Sequence, residues 1–205
     1  MIKAIIFDWG GVLIDHPAPG LLTYFAGALG VTEEALARAF IPWASAFQTG
    51  RISEDAMWRE ISSALRVQRP YNPSLWGEAF RHVYAPKPEM FALASQLKAQ
   101  GYKVGLLSNT ELPSVNFFHQ QQYDMFDATV FSCVEGTAKP ERRIYEIALE
   151  RLGVQSHEAI FIDDRVDFID GAKNLGINTI LFRDPEQVKV DLAAFSIPVD
   201  TMGGQ

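Results

Sequence analysis

Four short polar stretches carry the residues of this chain that could do chemistry. They are Asp8, the pair Ser108 and Asn109, Lys139, and the acidic pair Asp163 and Asp164. Each alone is ordinary, because an aspartate after a strand is usually a turn residue and a Lys-Pro pair usually begins a helix. Together they suit phosphoryl transfer, in which a carboxylate attacks phosphorus, a lysine and a hydroxyl offset charge on the phosphoryl oxygens, and carboxylates hold Mg²⁺.

Short apolar runs lead into most of these residues and predict buried strands. The runs cover 2–8, 103–109, 158–164 and 178–182, with a weaker candidate at 128–132. Helical patterns separate them, one over 88–100 before Gly101 and one from Pro140 to Gly153, in which Pro140 is expected in the first turn. This alternation predicts an α/β fold with a doubly wound, Rossmann-like parallel sheet, whose ligands lie beyond the carboxyl ends of the strands.

Residues 16–85 interrupt the alternation with helical patterns and little strand signal. Thr32, Ser53 and Ser74 each precede a helical pattern, at positions where a hydroxyl caps the first turn. Proline-rich breakers lie at both edges of the segment, as expected of linkers. The sequence therefore predicts an α/β core domain from residues 1–15 and 86–205, with an inserted all-helical cap domain over 16–85.

Composition excludes several classes of partner. The 205 residues carry a formal charge of −7, so the chain lacks the basic surplus that nucleic acids or anionic membranes require. Cys133 is the single cysteine and the four histidines are scattered, which excludes an intrachain disulfide and argues against a zinc motif. No apolar run is long enough to span a membrane. We expect a soluble, unprocessed cytoplasmic protein that binds a small phosphorylated molecule, and the sequence leaves its oligomeric state open.

Aromatic residues are concentrated in the predicted cap. They are Phe40, Trp43, Phe47, Trp58, Trp76 and Phe80. At helical spacing such residues more often form a small core than a pocket, so we expect at most one or two to line a substrate site. Arg51 is expected at the surface rather than against substrate.

The motifs resemble those of the haloacid dehalogenase superfamily of phosphatases over nearly the whole chain. The stretches concerned are FDWGGVLID, LLSNT, KPERRIY and FIDDRVDFIDGAKNLGI. Within the superfamily the chain is most similar to the bacterial α-D-glucose-1-phosphate phosphatases, which share the glycine at position 10 and a cap stretch like FQTGRIS. The resemblance implies an aspartyl-phosphate mechanism that requires Mg²⁺.

Residue roles follow from this resemblance position by position. It makes Asp8 the nucleophile and a metal ligand, with the Gly10 carbonyl as a second metal contact. Asp164 is implied as the distal metal ligand. Asp163 is implied to bind or orient the metal through a water. Ser108 and Asn109 are implied to hold the phosphoryl oxygens, while Lys139 bridges the phosphate and Asp8.

Two positions depart from the superfamily pattern. Gly10 replaces an aspartate that in most relatives protonates the leaving group and then activates water, a contribution typically worth about 10²–10⁴-fold. Asp15 or Asp167 are candidates to cover that role. Phe168 replaces an asparagine or aspartate of the fourth motif, for which Asp167 or Asp170 are possible substitutes.

The favoured function is a Mg²⁺-dependent phosphomonoesterase acting on small phosphorylated metabolites, in particular sugar phosphates such as glucose 1-phosphate. One alternative is a metal-independent hydrolytic dehalogenase on the same fold. The pair Asp163 and Asp164 argues against it, because carboxylates without a cation would repel an anionic substrate. A second alternative, which Gly10 and Phe168 would suit, is a catalytically weak protein that binds a phosphosugar or a protein partner.

Overall fold

The computed structural model describes residues 1–199 and contains one five-stranded parallel sheet in the order β3-β2-β1-β4-β5. The strands are β1 (Ala4–Phe7), β2 (Lys103–Ser108), β3 (Ala128–Phe131), β4 (Ala159–Asp163) and β5 (Asn178–Leu181). All four strand pairings are parallel, with β1 in the centre between β2 and β4. The predicted α/β class, the doubly wound parallel sheet and all five strands are confirmed.

Ten α-helices, and one 3₁₀ turn at Ser156–Glu158, surround the sheet and build the insertion within the described residues. They are α1 (Ala18–Leu29), α2 (Glu33–Gln48), α3 (Glu54–Leu65), α4 (Leu75–Val83), α5 (Pro88–Ala99), α6 (Leu112–Gln120), α7 (Ser132–Glu135), α8 (Arg142–Leu152), α9 (Val166–Lys173) and α10 (Pro185–Ala194). Helices α1 to α4 all fall within 16–85, as the sequence predicts. No helix of the described chain is long and apolar enough to cross a membrane.

The predicted capping residues begin three of the inserted helices. Thr32 accepts a hydrogen bond from Ala35 N at 3.2 Å, and Ser53 accepts one from Ala56 N at 3.2 Å. Ser74 accepts one from Gly77 N at 2.9 Å. Each hydroxyl satisfies a backbone donor that the first helical turn leaves without a partner, so local sequence fixes where these helices start.

The two linkers to the helical insertion run side by side. Asp15 N donates to Ala85 O at 2.8 Å, and Lys87 N donates to Leu13 O at 2.8 Å. The Lys87 ammonium also donates to Ile14 O at 2.9 Å and lies 2.9 Å from the Asp15 carboxylate. The chain therefore leaves and re-enters the α/β part at one place, directly after β1.

A continuous apolar core joins the sheet to the insertion. Trp9, which follows β1, packs against Phe80 of α4 and Phe118 of α6, with ring centroids 5.1 and 5.3 Å away. A separate cluster covers the other face of the sheet, where Tyr145 of α8 lies against Phe161 of β4. The insertion is thus held over the carboxyl-terminal edge of the sheet by buried aromatic contacts.

The start of α8 differs from the sequence-based prediction. The helix begins at Arg142 with Glu141 as its N-cap, so the expected first-turn position of Pro140 is wrong. Pro140 follows a cis peptide bond from Lys139 and precedes the helix. Residues 200–205 of the predicted core segment lie outside the described residues.

Candidate active site

The predicted chemistry-bearing residues converge at the carboxyl edge of the sheet. Asp8 follows the central strand β1, while Ser108 ends β2 and Asp163 ends the other neighbour, β4. Parallel strands bring their carboxyl ends to the same edge, so residues far apart in sequence meet there. Lys139 enters from the loop between α7 and α8.

The Lys139 ammonium is the buried positive centre of this cluster. It lies 2.9 Å from Asp8 Oδ1 and 2.6 Å from Asp163 Oδ2, and it donates to Leu107 O at 3.2 Å. An ammonium has three donors, and these contacts use all of them. Burial alone would lower the pKa of Lys139, but Asp8 and Asp163 outweigh it and hold the pKa above its ordinary value. Lys139 is therefore charged at neutral pH.

Asn109 fixes the backbone from which Lys139 projects. Its Oδ1 accepts a hydrogen bond from Lys139 N at 2.8 Å, and its Nδ2 donates to Lys139 O at 2.9 Å. The side-chain amide thus clamps one peptide segment through both of its ends. The phosphate-binding role expected of Asn109 stays a prediction, whereas the positioning of Lys139 is visible directly.

The Asp8 carboxylate has one anchored oxygen and one open oxygen. Oδ1 accepts from Trp9 N at 2.7 Å and faces Lys139, while Oδ2 makes no hydrogen bond within residues 1–199. Burial raises the pKa of Asp8, Lys139 opposes that effect, and the nearby Asp163 carboxylate adds to it. Additional positive charge beside Asp8 would hold its carboxylate ionised.

Three carboxylates offer that positive charge a binding site. One oxygen from each of Asp8, Asp163 and Asp164 lies within 4.8 Å of the others. Asp163 is fully buried and uses both its oxygens, one toward Lys139 and one accepting from Arg165 N at 2.9 Å. Asp164 forms no ion pair in the described part of the chain. The surplus of negative charge and the hard oxygen donors fit Mg²⁺.

Gly11 is required for this arrangement. Its backbone lies at φ +90°, and a Cβ there would overlap the Asp164 carboxylate. A side chain would therefore strain the backbone and displace a residue of the acidic cluster.

A cavity of about 420 Å³ extends from this cluster into the helical insertion. Asp8, Gly10, Ser108, Asn109 and Asp164 lie among the lining residues on the sheet side. The opposite wall comes from helices α1 to α4. A volume of this size is typical of small-molecule sites.

The aromatic lining is larger than the sequence suggests. Phe40, Trp58, Trp76 and Phe80 all line the cavity, so the expectation of one or two such residues is wrong. Helical spacing cannot separate a packing residue from a lining residue, because both lie on the same apolar face. Arg51 lies outside the cavity, as expected, and its guanidinium donates to Thr49 Oγ1 at 2.9 Å.

The two departures from the superfamily pattern have distinct surroundings. Phe168 is buried, with its ring 4.8 Å from the Lys139 ammonium and 4.2 Å from the Arg165 guanidinium carbon, so it supports both cations through its π face. Gly10 lines the cavity directly. Asp15 and Asp167, proposed to cover for it, do not line the cavity and instead pair with Lys87 and Arg165.

Glu111 is a cavity residue that sequence reasoning missed. It follows the LLSNT stretch by one residue, lines the cavity, and is hydrogen-bonded by the Gln48 side chain of α2. Burial raises its pKa to about 7, although its hydrogen bonds oppose the shift. The sequence does place Glu111 in the loop after β2, close to the other site residues. It does not show that Glu111 is buried, because that burial depends on the distant insertion.

The fold and this cluster define a hydrolase with an aspartate at the end of its central strand. The family described as haloacid dehalogenase-like hydrolase matches residues 2–176, and the chain belongs to that family. The predicted enzyme class is confirmed.

Curated relatives include phosphatases. The chain is 32% identical over 209 residues to acyl-CoA dehydrogenase family member 10 of Mus musculus, covering 94% of this chain but only 19% of that protein. It is 27% identical to a sesquiterpene phosphatase of Aspergillus oryzae, covering 85% of this chain and 87% of the relative. Among solved structures, a family enzyme of Bacteroides thetaiotaomicron in complex with magnesium and inorganic phosphate has a TM-score of 0.74 at 24% identity, covering 89% of this chain and 95% of that one.

Proposed function

We propose that this protein is a Mg²⁺-dependent phosphomonoesterase that forms an aspartyl-phosphate on Asp8. The observation that carries the proposal is the asymmetric Asp8 carboxylate, anchored through Oδ1 and open at Oδ2, beside Lys139 and two further carboxylates. An anchored carboxylate with one free oxygen is suited to attack on phosphorus.

In the first step Asp8 Oδ2 forms a bond to phosphorus and the bond to the leaving alcohol oxygen breaks. The electron pair of the broken bond stays with that oxygen, which takes up a proton from solvent water. In the second step a water oxygen forms a bond to phosphorus and the bond from Asp8 Oδ2 to phosphorus breaks, with its electron pair returning to the carboxylate. The proton of the attacking water passes to solvent, and inorganic phosphate is released. Lys139 stabilises negative charge on the phosphoryl oxygens in both steps.

The cation is proposed to be held by Asp8, Asp164, the Gly10 carbonyl and Asp163. Of these, Asp163 acts mainly by orienting Lys139. Bound Mg²⁺ would supply the positive charge that lets two anionic groups meet. Ser108 and the backbone N–H groups beside it, including that of Asn109, are proposed to bind the phosphoryl oxygens.

We propose that residues 16–85 act as a cap domain that selects the substrate. The names of the relatives do not identify the alcohol part of the substrate. They include both a sesquiterpene phosphatase and glyceraldehyde 3-phosphate phosphatases. The expectation of a sugar phosphate such as glucose 1-phosphate stays a prediction, as does a cytoplasmic location.

The test is phosphate release from acetyl phosphate and p-nitrophenyl phosphate, with Mg²⁺ and with EDTA. We expect turnover that EDTA abolishes and that added Mg²⁺ restores. Chloride release from a 2-haloacid without metal would instead support the dehalogenase alternative. Binding of phosphate esters with no turnover would support a binding protein, and either result would overturn the proposal.

A further inference from the structure

The wall of the cavity opposite the acidic cluster is almost entirely hydrophobic. Leu21, Leu22, Phe25, Leu36, Phe40 and Ile41 of α1 and α2 contribute to it. Trp58, Trp76 and Phe80 of α3 and α4 add aromatic surface. Within the described chain, Gln48 is the one lining residue from α1 to α4 with an amide, hydroxyl or charged side chain.

The polar groups that this wall does contain are already hydrogen-bonded within the protein. Trp58 Nε1 donates to Glu54 Oε1 at 3.1 Å, and Trp76 Nε1 donates to Ser114 Oγ at 3.1 Å. The Gln48 side chain hydrogen-bonds the Glu111 carboxyl. A sugar has several hydroxyl groups, and each one buried here without a partner would lose its hydrogen bonds to water.

The cavity is therefore polar at one end and apolar at the other. Asp8, Ser108 and Asp164 lie at the polar end, where the phosphoryl group binds in the function proposed above. A cavity of about 420 Å³ lies in the lower part of the range of small-molecule sites and extends well beyond the space that a phosphate group needs.

Resting on the phosphatase function proposed above, we infer that the substrate is a phosphomonoester of an apolar alcohol. Its hydrocarbon part fills the space between α1 to α4, and its ester oxygen lies toward Asp8. Burial of each added methylene contributes to transition-state binding, so catalytic efficiency should rise with chain length until the cavity is full.

The experiment compares kcat/KM for ethyl, butyl, hexyl and octyl phosphate with that for glucose 6-phosphate, in the presence of Mg²⁺. All five are esters of primary alcohols, so their leaving groups are matched. Acetyl phosphate, which has little apolar surface, reports on the chemical step independently. We expect kcat/KM to rise about threefold per methylene, so that octyl phosphate, with six more methylenes, exceeds ethyl phosphate by about 700-fold. The kcat/KM for glucose 6-phosphate should fall below that for butyl phosphate.

Two variants locate the effect. Leu22→Gln places an amide on the cavity wall, and Ile41→Gln does so at its rim, where the side chain is 70% exposed and the fold is not at risk. Both variants should reduce the dependence of kcat/KM on the chain length of the alkyl phosphate. Val190→Gln makes the same kind of change at an exposed site on α10, outside the cavity, and should keep the wild-type dependence.

The outcomes separate this inference from the function on which it rests. Turnover of acetyl phosphate with no chain-length dependence of kcat/KM, or with glucose 6-phosphate preferred over the alkyl phosphates, overturns the apolar substrate and leaves the phosphatase standing. The same inference fails if the dependence survives in both cavity variants. No Mg²⁺-dependent turnover of any ester overturns the phosphatase itself.

Discussion

At the scale of single residues, the site is built around one buried cation that faces several acids. Lys139 keeps its charge because Asp8 and Asp163 lie 2.9 and 2.6 Å from it, and Asn109 fixes the peptide that carries it. Removing one partner of such a pair leaves a buried charge uncompensated, which is costly. The residues that we propose for the chemistry therefore also contribute to the stability of the fold.

Gly10 should make the enzyme sensitive to the leaving group, because no carboxylate at position 10 can protonate it. A Cβ at Gly10 would lie 3.3 Å from Pro17 Cδ, so a small shift admits a side chain. We expect Gly10→Asp to narrow the ratio of kcat/KM for p-nitrophenyl phosphate over octyl phosphate by about tenfold or more, since the poorer leaving group gains most.

Gly10→Asn is the matched control, because it has the same shape but cannot donate a carboxylic proton. An equal narrowing in both variants, or none in Gly10→Asp, would show that proton donation is not what position 10 lacks. The same comparison between glucose 1-phosphate and glucose 6-phosphate tests whether leaving-group acidity also governs sugar esters.

Glu111 should make the folded protein less stable as the pH rises. Its pKa is raised by burial from 4.5 to about 7, so the folded state holds this proton more tightly than the unfolded chain does. The contribution to stability is present below about pH 4.5 and is lost as the pH rises through about 7. We compare the free energy of unfolding of Glu111→Gln with that of wild type. The difference should favour the variant by about 1–3 kcal/mol more at pH 8 than at pH 4.

Urea denaturation at the two pH values measures this gain. Glu89→Gln removes one exposed carboxylate from α5 and serves as the control. A gain of the same size in the control, or a pH-independent effect of Glu111→Gln, would contradict the assignment of this effect to burial.

At the scale of elements, Glu54 ties the inserted helices together. Its carboxylate accepts hydrogen bonds from Ser74 Oγ at 2.7 Å, Trp76 N at 2.7 Å and Trp58 Nε1 at 3.1 Å. One side chain at the start of α3 thus holds the start of α4 and orients a tryptophan of the cavity wall.

We expect Glu54→Ala to destabilise the protein by about 2–4 kcal/mol, because three donors lose their acceptor at once. Denaturant unfolding measures the change. Glu60→Ala on the same helix removes only an ion pair with the adjacent Arg59 and should stay within about 0.5 kcal/mol of wild type. If the two variants are equally stable, Glu54 does not hold α3 to α4.

The segment FQTGRIS shows how an element of the insertion contacts the sheet side. Gln48 O accepts a hydrogen bond from Ser132 Oγ at 2.6 Å, at the start of α7. Gly50 lies at φ +68°, and a Cβ there would overlap the Cys133 carbonyl. This glycine is needed because the two backbones approach so closely.

At the scale of the whole molecule, sequence predicts the strands well and the cavity poorly. The three central strands read as continuous apolar runs because both faces of the sheet are covered, whereas Ala128 and Thr129 of the edge strand β3 are only half-buried and give a weaker signal. The strand order is not predictable from these runs, because every buried strand has the same pattern.

The site residues also divide into those that the sequence predicts and those that it does not. Asp8, Ser108 and Asp163 are predictable because they end strands, and strand ends converge. Glu111 and the apolar cavity wall are not, since their environment depends on how α1 to α4 pack across the sheet edge. The position of Pro140 was mispredicted because a Lys-Pro pair suits either a first helical turn or the loop before it.

The acidic surplus at the sheet edge should couple metal binding to stability. We expect saturating Mg²⁺, at about 100 times its dissociation constant, to stabilise the protein by about 2.7 kcal/mol and to raise Tm by about 5–10 °C. Asp164→Asn should lose most of this shift, measured by differential scanning calorimetry. Equal shifts in both proteins would place the cation elsewhere.

The most direct test of the central claim is to locate the phosphoryl group during turnover. The enzyme is mixed with acetyl phosphate and Mg²⁺, quenched in acid within the steady state, digested, and mapped by mass spectrometry. We expect a phosphoryl adduct on the peptide containing Asp8, and Asp8→Asn should lack the adduct and lose several orders of magnitude in kcat. An adduct on another residue, or near-wild-type turnover by Asp8→Asn, would contradict the assignment of Asp8 as the nucleophile.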